Sequence, residues 1–243
     1  MIHSPEARSA ARTLPVVLEP LPAAAALRPI DAAERFRDLP GLALLESARP
    51  GRNARWSYLT ADPVAVLEGP APGADPFAEA RRLVARLDAR QLSSTAPPFL
   101  GGLVGYLSYD LGRRFERIPS IAADDQRLPP LRLALHDWVI AWDRATGDAW
   151  LGGRAIDGDV ERLDVRLADV RARFADAASP SNPTDVTELV FESGLDRRAH
   201  RLGVGRIRGA IADGELYQAN LTRRLEAPFS GDAWPLYRRL RTG

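Results

Sequence analysis

Short apolar runs bounded by turn residues recur in the first half of this chain and predict strands. Two of these runs are Pro40–Ala48 and Trp56–Pro63. A longer apolar and aromatic stretch, Leu133–Gly153, predicts a hairpin that turns at Ala145–Asp148.

Apolar residues at three- and four-residue spacing predict amphipathic helices elsewhere in the chain. One helix is expected to have Asp75 as its N-cap and Pro76 in its first position. Its apolar positions are Phe77, Ala80, Val84 and Leu87, and those of a second helix are Val160, Leu163, Leu167, Val170 and Phe174. Strand-like and helix-like segments thus alternate along the chain, with no internal repeat.

A stretch of small polar residues and two prolines, Ala175–Asp185, interrupts all periodicity and predicts a linker. We therefore expect two domains, residues 1–180 and residues 186–243. A chain of 243 residues is long enough for two domains of this size.

The second domain is expected to begin a core without closing it. Thr187–Ser193 and Glu215–Phe229 are predicted as strands, and the helix between them ends at Gly214. From Asp232 the pattern is that of another helix start. A strand, a helix, a strand and a further helix start do not enclose a complete core.

Composition excludes several classes of function. The 33 basic and 32 acidic residues leave a formal net charge of +1, so no general field attracts nucleic acid or an anionic membrane. The chain has no Cys, and its three His residues are isolated, so neither disulfides nor a zinc site are expected. No apolar run reaches the roughly 20 residues of a membrane span, and the N-terminus lacks the order of a signal peptide. We expect a cytoplasmic protein.

Two glycine-rich stretches lack the requirements of phosphate-binding loops. Gly203–Gly209, GVGRIRG, has the wrong glycine spacing and lies within a helix pattern rather than just after a strand. Gly101–Gly105, GGLVG, lacks the lysine of a P-loop. We interpret the second stretch as a place of close backbone packing or a bulge.

The stretch GELYQANLTRRL, Gly214–Leu225, carries two amides at alternate positions, Gln218 and Asn220. Because side chains alternate across a strand, we expect Tyr217 and Leu221 on a buried face and the two amides on the opposite face. A neutral amide both donates and accepts hydrogen bonds, so the pair suits either a bound ligand or neighbouring strand groups. The spacing alone leaves both interpretations open.

Three separated motifs, in order along the chain, resemble one enzyme family. They are ALLESARPGRNARWSYLTADP, PFLGGLVGYLSYDLGRRFERIPSI and GELYQANLTRRLEAPFSGD. They resemble the chorismate-utilising enzymes and, among these, component I of aminodeoxychorismate synthase. The resemblance implies an α+β fold with two packed, mainly antiparallel β-sheets and helices outside. It also implies that a large part of a family member lies beyond Gly243, so that the fold is incomplete at the C-terminus.

The same resemblance implies an activity for the whole enzyme, in which chorismate and ammonia give 4-amino-4-deoxychorismate for para-aminobenzoate and folate synthesis. A glutamine amidotransferase subunit supplies the ammonia. Ligands for Mg²⁺ are expected beyond Gly243, so this chain alone should be inactive. Gln218 falls at the nucleophile position, where family members that add water have a lysine as general base. Asn220 is expected beside it. The alternatives are anthranilate synthase component I, and a non-catalytic fragment or amino-acid-binding regulatory domain.

The resemblance also implies an amino-acid pocket at the stretches LLES and RWS, formed by Leu45, Ser47, Arg55 and Trp56. Family members bind tryptophan in this pocket, so tryptophan is an expected ligand. Ser47 is expected to bond the ammonium or carboxylate of the ligand, and Arg55 to pair with the carboxylate. Trp56 stands where the family usually has Tyr. The alternative is two strands and a loop that bind nothing.

Overall fold

The computed structural model describes residues 16–69, 73–87, 96–121, 123–175 and 189–241. The chain divides into two compact units, residues 1–180 and residues 181–243. The predicted linker, Ala175–Asp185, lies outside the described residues apart from Ala175.

The described part of the first unit contains eight β-strands and four α-helices. In chain order they are β1 (Val16–Pro20), α1 (Pro22–Ala25), α2 (Pro29–Ala33), β2 (Ala43–Leu45), β3 (Trp56–Thr60), β4 (Ala65–Glu68), α3 (Ala78–Ala85), β5 (Gly102–Leu107), β6 (Leu131–His136), β7 (Trp138–Asp143), β8 (Ala149–Arg154) and α4 (Val160–Ala172). Short 3₁₀ helices occupy Glu34–Phe36, Tyr109–Arg114 and Ile156–Gly158.

These strands form two antiparallel sheets. The five-stranded sheet has the order β1-β8-β7-β3-β2, and the three-stranded sheet has the order β4-β6-β5. Every paired strand in the two sheets runs antiparallel to its neighbour. The predicted α+β class with mainly antiparallel sheets is therefore confirmed.

A single residue, Asp137, separates the two sheets where β6 ends and β7 begins. The predicted hairpin is confirmed for β7 and β8, which are joined by residues 144–148. Its first residues were assigned wrongly, because Leu133–His136 pair with β4 and β5 instead. Because β6 and β7 are both largely buried, the sequence is apolar on both sides of Asp137. The apolar pattern therefore does not show where one sheet ends and the other begins.

α4 packs on the five-stranded sheet through the residues that its spacing predicted. Leu163, Leu167 and Val170 are buried. Gly153 of β8 permits the close approach, since a Cβ there would lie 2.8 Å from Cδ1 of Leu163. Burial of each such leucine contributes roughly 1.5–3 kcal/mol to folding. The sequence pattern therefore identified these three residues correctly, whereas Val160 was assigned to the buried face wrongly, since it is 41% exposed.

α3 begins at Ala78 rather than at Pro76, and Phe77 takes the N-cap position. Asp75 still accepts a hydrogen bond from the Phe77 N–H, at 2.8 Å. Val84, predicted on the apolar face, is 51% exposed. The buried cluster of this part of the unit consists of Leu83, Leu135 and Ile156. The helix starts late because Asp75 forms a turn with Phe77. The Asp75 carboxylate accepts the hydrogen bond of the Phe77 N–H just before the helix begins.

The N-terminal helices cover one face of the five-stranded sheet. Phe36 packs on Trp138 of β7 with ring centroids 5.4 Å apart. Trp142 of the same strand donates from Nε1 to the carbonyl oxygen of Ala24 in α1, at 2.9 Å. Trp138 and Trp142 share a face because they are four residues apart on a strand.

The second unit contains β9 (Glu192–Ser193), α5 (Arg197–Ala212), β10 (Leu225–Glu226) and α6 (Ala233–Leu240). The prediction of α5 is confirmed, and its end is marked by Gly214, which has a φ of 77°. The GVGRIRG stretch lies entirely within α5, as its pattern predicted. The helix start expected from Asp232 is also confirmed, since the Asp232 side chain accepts from the Trp234 N–H as N-cap of α6.

The strand predicted over Glu215–Phe229 is wrong for most of its length. Within it, Leu225 and Glu226 are the residues in strand conformation, and they pair with the two residues of β9. Tyr217, Gln218 and Asn220 are all exposed, so the expected buried and accessible faces are not present. A strand requires hydrogen-bond partners for its backbone groups. Within the described part of this segment, Leu225 and Glu226 are the residues that pair with β9.

The other predicted strand of this unit is Thr187–Ser193. Within its described part, the residues in strand conformation are the two of β9. Thr187 and Glu188 lie outside the described residues. Val190 and Phe191 are 80% and 56% exposed, so the apolar run does not face a core within this unit.

We expect the stability of the first unit to fall in acid because of His136, which is 1% exposed at the end of β6. Burial lowers the pKa of His136 from 6.5 to about 4, although its contact with the Ala61 carbonyl opposes this shift. The unfolded chain takes up the proton first, so stability is present above pH 6.5 and is lost as the pH falls towards about 4. The loss is on the order of 3 kcal/mol, since each pKa unit corresponds to about 1.4 kcal/mol.

Urea unfolding of the wild type and of His136→Gln across this pH range measures the effect. The difference in free energy of unfolding between the two proteins should change with pH as His136 titrates. Other titrating groups are shared by both proteins, so their contributions cancel in that difference. Parallel pH profiles would contradict the assignment to His136.

Candidate functional site

The predicted pocket residues lie at one end of the five-stranded sheet, where β2 ends and β3 begins. Leu45, the last residue of β2, pairs with Tyr58 of β3. Arg55 and Trp56 stand where β3 begins, and Ser47 follows β2 by two residues. Leu45 and Ser47 are exposed, and Trp56 is half-buried. The antiparallel register is what places these residues at one end of the sheet.

The guanidinium of Arg55 is held by a carboxylate that the sequence did not single out. Its Nε lies 3.0 Å from Oδ1 of Asp143, and its Nη2 lies 2.7 Å from Oδ2. The hydrogen bond from Arg55 is the main cause that lowers the pKa of Asp143, so the pair is ionised. Two of the donors of Arg55 are therefore engaged, and a ligand carboxylate would meet the remaining N–H groups.

Aromatic rings form a wall beside this ion pair. The rings of Trp56 and Tyr58 are nearly parallel with centroids 6.3 Å apart, and Phe99 meets Tyr58 edge-on at 5.6 Å. The Arg55 guanidinium lies 4.9 Å from the centroid of the Trp56 ring. Burial raises the pKa of Tyr58 to about 12, so its hydroxyl is neutral and available as a donor at neutral pH. Such a wall suits a flat ring with one polar atom.

Arg144 ties the two strand ends together. Its Nη2 donates to the carbonyl oxygen of Ser47 at 2.9 Å, and its backbone N–H donates to the carbonyl oxygen of Arg55 at 2.8 Å. Sequence reasoning missed Tyr58, Phe99, Asp143 and Arg144 as site residues. Asp143 is the cross-strand neighbour of Trp56, a relation that depends on strand register and is absent from local sequence.

The amides Gln218 and Asn220 lie in the second unit, on the segment between α5 and β10. Both side chains are exposed, and the residues around them have no strand conformation. An exposed neutral amide is accessible to a ligand and can both donate to it and accept from it. The two amides therefore remain candidate ligand contacts, although the strand geometry expected for them is wrong.

The described part of the chain shows no cluster of three or more His, Cys, Asp or Glu side chains that could hold a metal ion. None of the described helices has the length and apolar character needed to cross a membrane.

Comparison with known proteins identifies one enzyme family. A family model described as chorismate binding enzyme matches residues 43–243. Anthranilate synthase component 1 of Mycolicibacterium smegmatis is 32% identical over 95% of this chain and 48% of that protein. Aminodeoxychorismate synthase component 1 of Escherichia coli is 30% identical over 68% of this chain and 34% of that protein. The chain thus spans at most about half the length of these curated relatives.

A solved structure agrees with the fold described above. Anthranilate synthase component I from Streptococcus pneumoniae superposes with a TM-score of 0.64 and 22% sequence identity, covering 80% of this chain and 46% of that one. At this identity the likeness concerns the fold alone. Because the family model spans most of the sequence, the chain belongs to the chorismate-binding enzyme family.

Proposed function

We propose that the protein carrying this chain acts as component I of aminodeoxychorismate synthase. In this reaction ammonia replaces the C4 hydroxyl of chorismate, and the products are 4-amino-4-deoxychorismate and water. A glutamine amidotransferase subunit is the proposed source of the ammonia. Mg²⁺ is the proposed cofactor, and when bound it would supply positive charge that neutralises developing negative charge. The described residues themselves present no ligand set for the ion.

The observation that carries this proposal is the neutral, exposed amide of Gln218 within YQANL. A lysine at this place would act as a general base and activate water. Ammonia is already a nucleophile and requires no such base, so an amide is sufficient to meet it. Asn220 provides a second neutral amide two residues away. The named Escherichia coli relative supports the same reaction.

We expect Gln218→Lys in the intact protein to reduce ammonia-dependent turnover, because it places a basic amine where the nucleophile binds. A product derived from water should appear in its place. The measurement is chromatographic separation of products after incubation with chorismate, magnesium and ammonium. Unchanged amination kinetics in a folded variant would place Gln218 outside the nucleophile site.

The matched control is Gln126→Lys, which makes the same chemical change at another exposed glutamine, in the first unit. We expect this variant to retain both the wild-type product and the wild-type rate. Melting temperatures of both variants separate a loss of stability from a change of nucleophile.

Anthranilate synthase component I is the second candidate function. It is favoured by the Mycolicibacterium smegmatis relative and by the anthranilate synthase component 1 of Mycobacterium tuberculosis, which is 35% identical over 83% of this chain. The same incubation separates the two candidates, since anthranilate formation releases pyruvate and formation of 4-amino-4-deoxychorismate does not. Pyruvate released in step with anthranilate, identified by its retention time as distinct from 4-aminobenzoate, would replace the first proposal by the second.

We also propose that the end of the five-stranded sheet binds tryptophan. The wall of Trp56 and Tyr58 accepts the indole ring, and the unengaged edge of Arg55 meets the carboxylate. Leu45 is exposed beside this wall and supplies an apolar contact, and Ser47 supplies a hydroxyl. A regulatory domain that binds an amino acid without catalysis would share this pocket.

We expect Arg55→Ala to weaken tryptophan binding by about tenfold or more, because a charge-assisted hydrogen bond is lost. Isothermal titration of the intact protein with tryptophan measures the affinity. Arg52→Ala is the matched control, since Arg52 is an exposed arginine of the same loop. The assignment of Arg55 fails if both variants bind tryptophan as the wild type does.

A further inference from the structure

The segment Glu215–Arg224, which carries Gln218, contacts α5 before it reaches β10. At its start, the N–H groups of Glu215 and Leu216 both donate to the carbonyl oxygen of Ala210, at 2.9 and 3.3 Å. At its end, the carbonyl oxygen of Arg224 accepts from the Gly194 N–H at 3.4 Å, just before β10 pairs with β9. Gln218 thus lies between two backbone anchors.

A third contact holds the middle of the segment against α5. Leu221 lies over Gly203, where an added Cβ would be 2.8 Å from Cδ2 and 3.8 Å from Cδ1 of the leucine. Leu221 is 37% exposed, whereas Tyr217 of the same segment is 97% exposed. The leucine is therefore seated on the helix at a place where the helix has no side chain.

The distances along the helix agree with this path. Gly203 precedes Ala210 by about two helical turns, which is roughly 10 Å of helix axis. The five residue-to-residue steps from Leu216 to Leu221 can span that length, since an extended chain advances at most about 3.3–3.6 Å per residue. Gln218 and Asn220 are carried on the stretch between the Ala210 anchor and the Gly203 contact.

We infer that Gly203 is a positioning residue for Gln218: its missing side chain forms a notch in α5 that seats Leu221 and sets where the amide stands. The functional consequence rests on the proposed role of Gln218 in amination. This inference accounts for the first glycine of GVGRIRG, which forms no phosphate loop. Gly203 acts through its contact with Leu221.

The other glycines of α5 provide matched controls. A Cβ at Gly205 or Gly209 would meet nothing within 4 Å, outside the helix's own backbone. Alanine at either place should favour the helix without touching the segment. Alanine at Gly203 should also favour the helix, but it meets the leucine methyl group and must displace it. The glycines thus separate the effect of helix propensity from the effect of the notch.

The structural test uses backbone amide chemical shifts of residues 216–224 and the nuclear Overhauser effect between the Leu221 methyl groups and the Gly203 Hα. In Gly203→Ala the shifts of Gln218 and its neighbours should change, and in Gly205→Ala they should stay. The double variant Gly203→Ala/Leu221→Ala makes room for the new methyl group and should return the shifts of Gln218 towards their wild-type values. Wild-type shifts at Gln218 in Gly203→Ala would overturn the inference, because they would show that Leu221 changes rotamer without moving the segment.

The functional test follows amination of chorismate by the intact protein with ammonium. Gly203→Ala should lower turnover roughly ten- to hundredfold, the range expected for a misplacement of about 1 Å, while Gly205→Ala keeps it. The Leu221→Ala change should rescue the turnover of Gly203→Ala. Failure of the proposed function can be told apart from failure of this inference. If Gln218 has no role in amination, Gln218→Lys leaves amination unchanged while the chemical shifts in Gly203→Ala still change. If Gln218→Lys is defective and Gly203→Ala moves the shifts without affecting turnover, the positioning role is refuted.

Discussion

Gly105→Ala is expected to destabilise the first unit by about 3 kcal/mol or more, because the new methyl group has no place to go. Gly105 of β5 pairs with Leu133 of β6. A Cβ there would overlap the carbonyl oxygen of Arg132 and lie 2.9 Å from Cα of Leu133. These atoms belong to the backbone of the central strand, which cannot move without breaking its pairs on both sides.

The free energy of unfolding of Gly105→Ala is measured by urea titration against a glycine in open space. A Cβ at Gly51 would meet nothing within 4 Å, so Gly51→Ala is the control. This control should be neutral or slightly stabilising, since alanine restricts the unfolded chain. Equal stabilities of the two variants would mean that β5 does not approach β6 this closely.

Phe36→Ala is expected to cost about 3–5 kcal/mol, the range for removing a buried phenylalanine. Phe36 is fully buried, and its ring lies 5.4 Å from that of Trp138 and 6.0 Å from that of Phe174. The guanidinium of Arg173 also stands over the ring, at 5.3 Å. The substitution opens a cavity between the five-stranded sheet, the 3₁₀ helix and the end of α4, where several elements meet and none can collapse into the space.

The control for this substitution is Phe115→Ala. Phe115 is 60% exposed and stacks on Phe77 with centroids 6.0 Å apart. We expect the control to cost about 1 kcal/mol or less, as for an aromatic pair at the surface. Thermal unfolding of both variants measures the contrast. A small change in Phe36→Ala would show that the helices contribute little to the stability of the sheet.

Local sequence patterns correctly predicted the elements that pack against a broad apolar surface. The apolar spacing of Leu163, Leu167 and Val170 identified the buried face of α4, because any apolar sheet face satisfies it. The segment around Gln218 is the opposite case. Its alternating residues match a strand, but a strand needs backbone donors and acceptors from another segment, and β10 finds them at two residues.

For the glycine-rich stretch GGLVG, the predicted close backbone packing is confirmed, but the sequence did not identify the strand that is approached. Its glycines were expected to allow close backbone packing, and Gly101 and Gly105 both do so against β6 and its end. Gly101 has a φ of +104° as well, and its Cβ would lie 3.0 Å from the carbonyl oxygen of His136. Which backbone they approach depended on the register of β5 with β6, which is set over the whole sheet.

The sequence by itself determined the chorismate-binding family, through ordered motifs, and through that resemblance it indicated the α+β class. Only the tertiary structure decided that Arg55 is held by Asp143, a residue 88 positions away, and that Leu221 rests on Gly203. The physical reason is the range of each interaction. Side-chain period and capping act within a few residues and are written locally, whereas an ion pair across strands and a leucine in a helix notch exist once distant segments have paired.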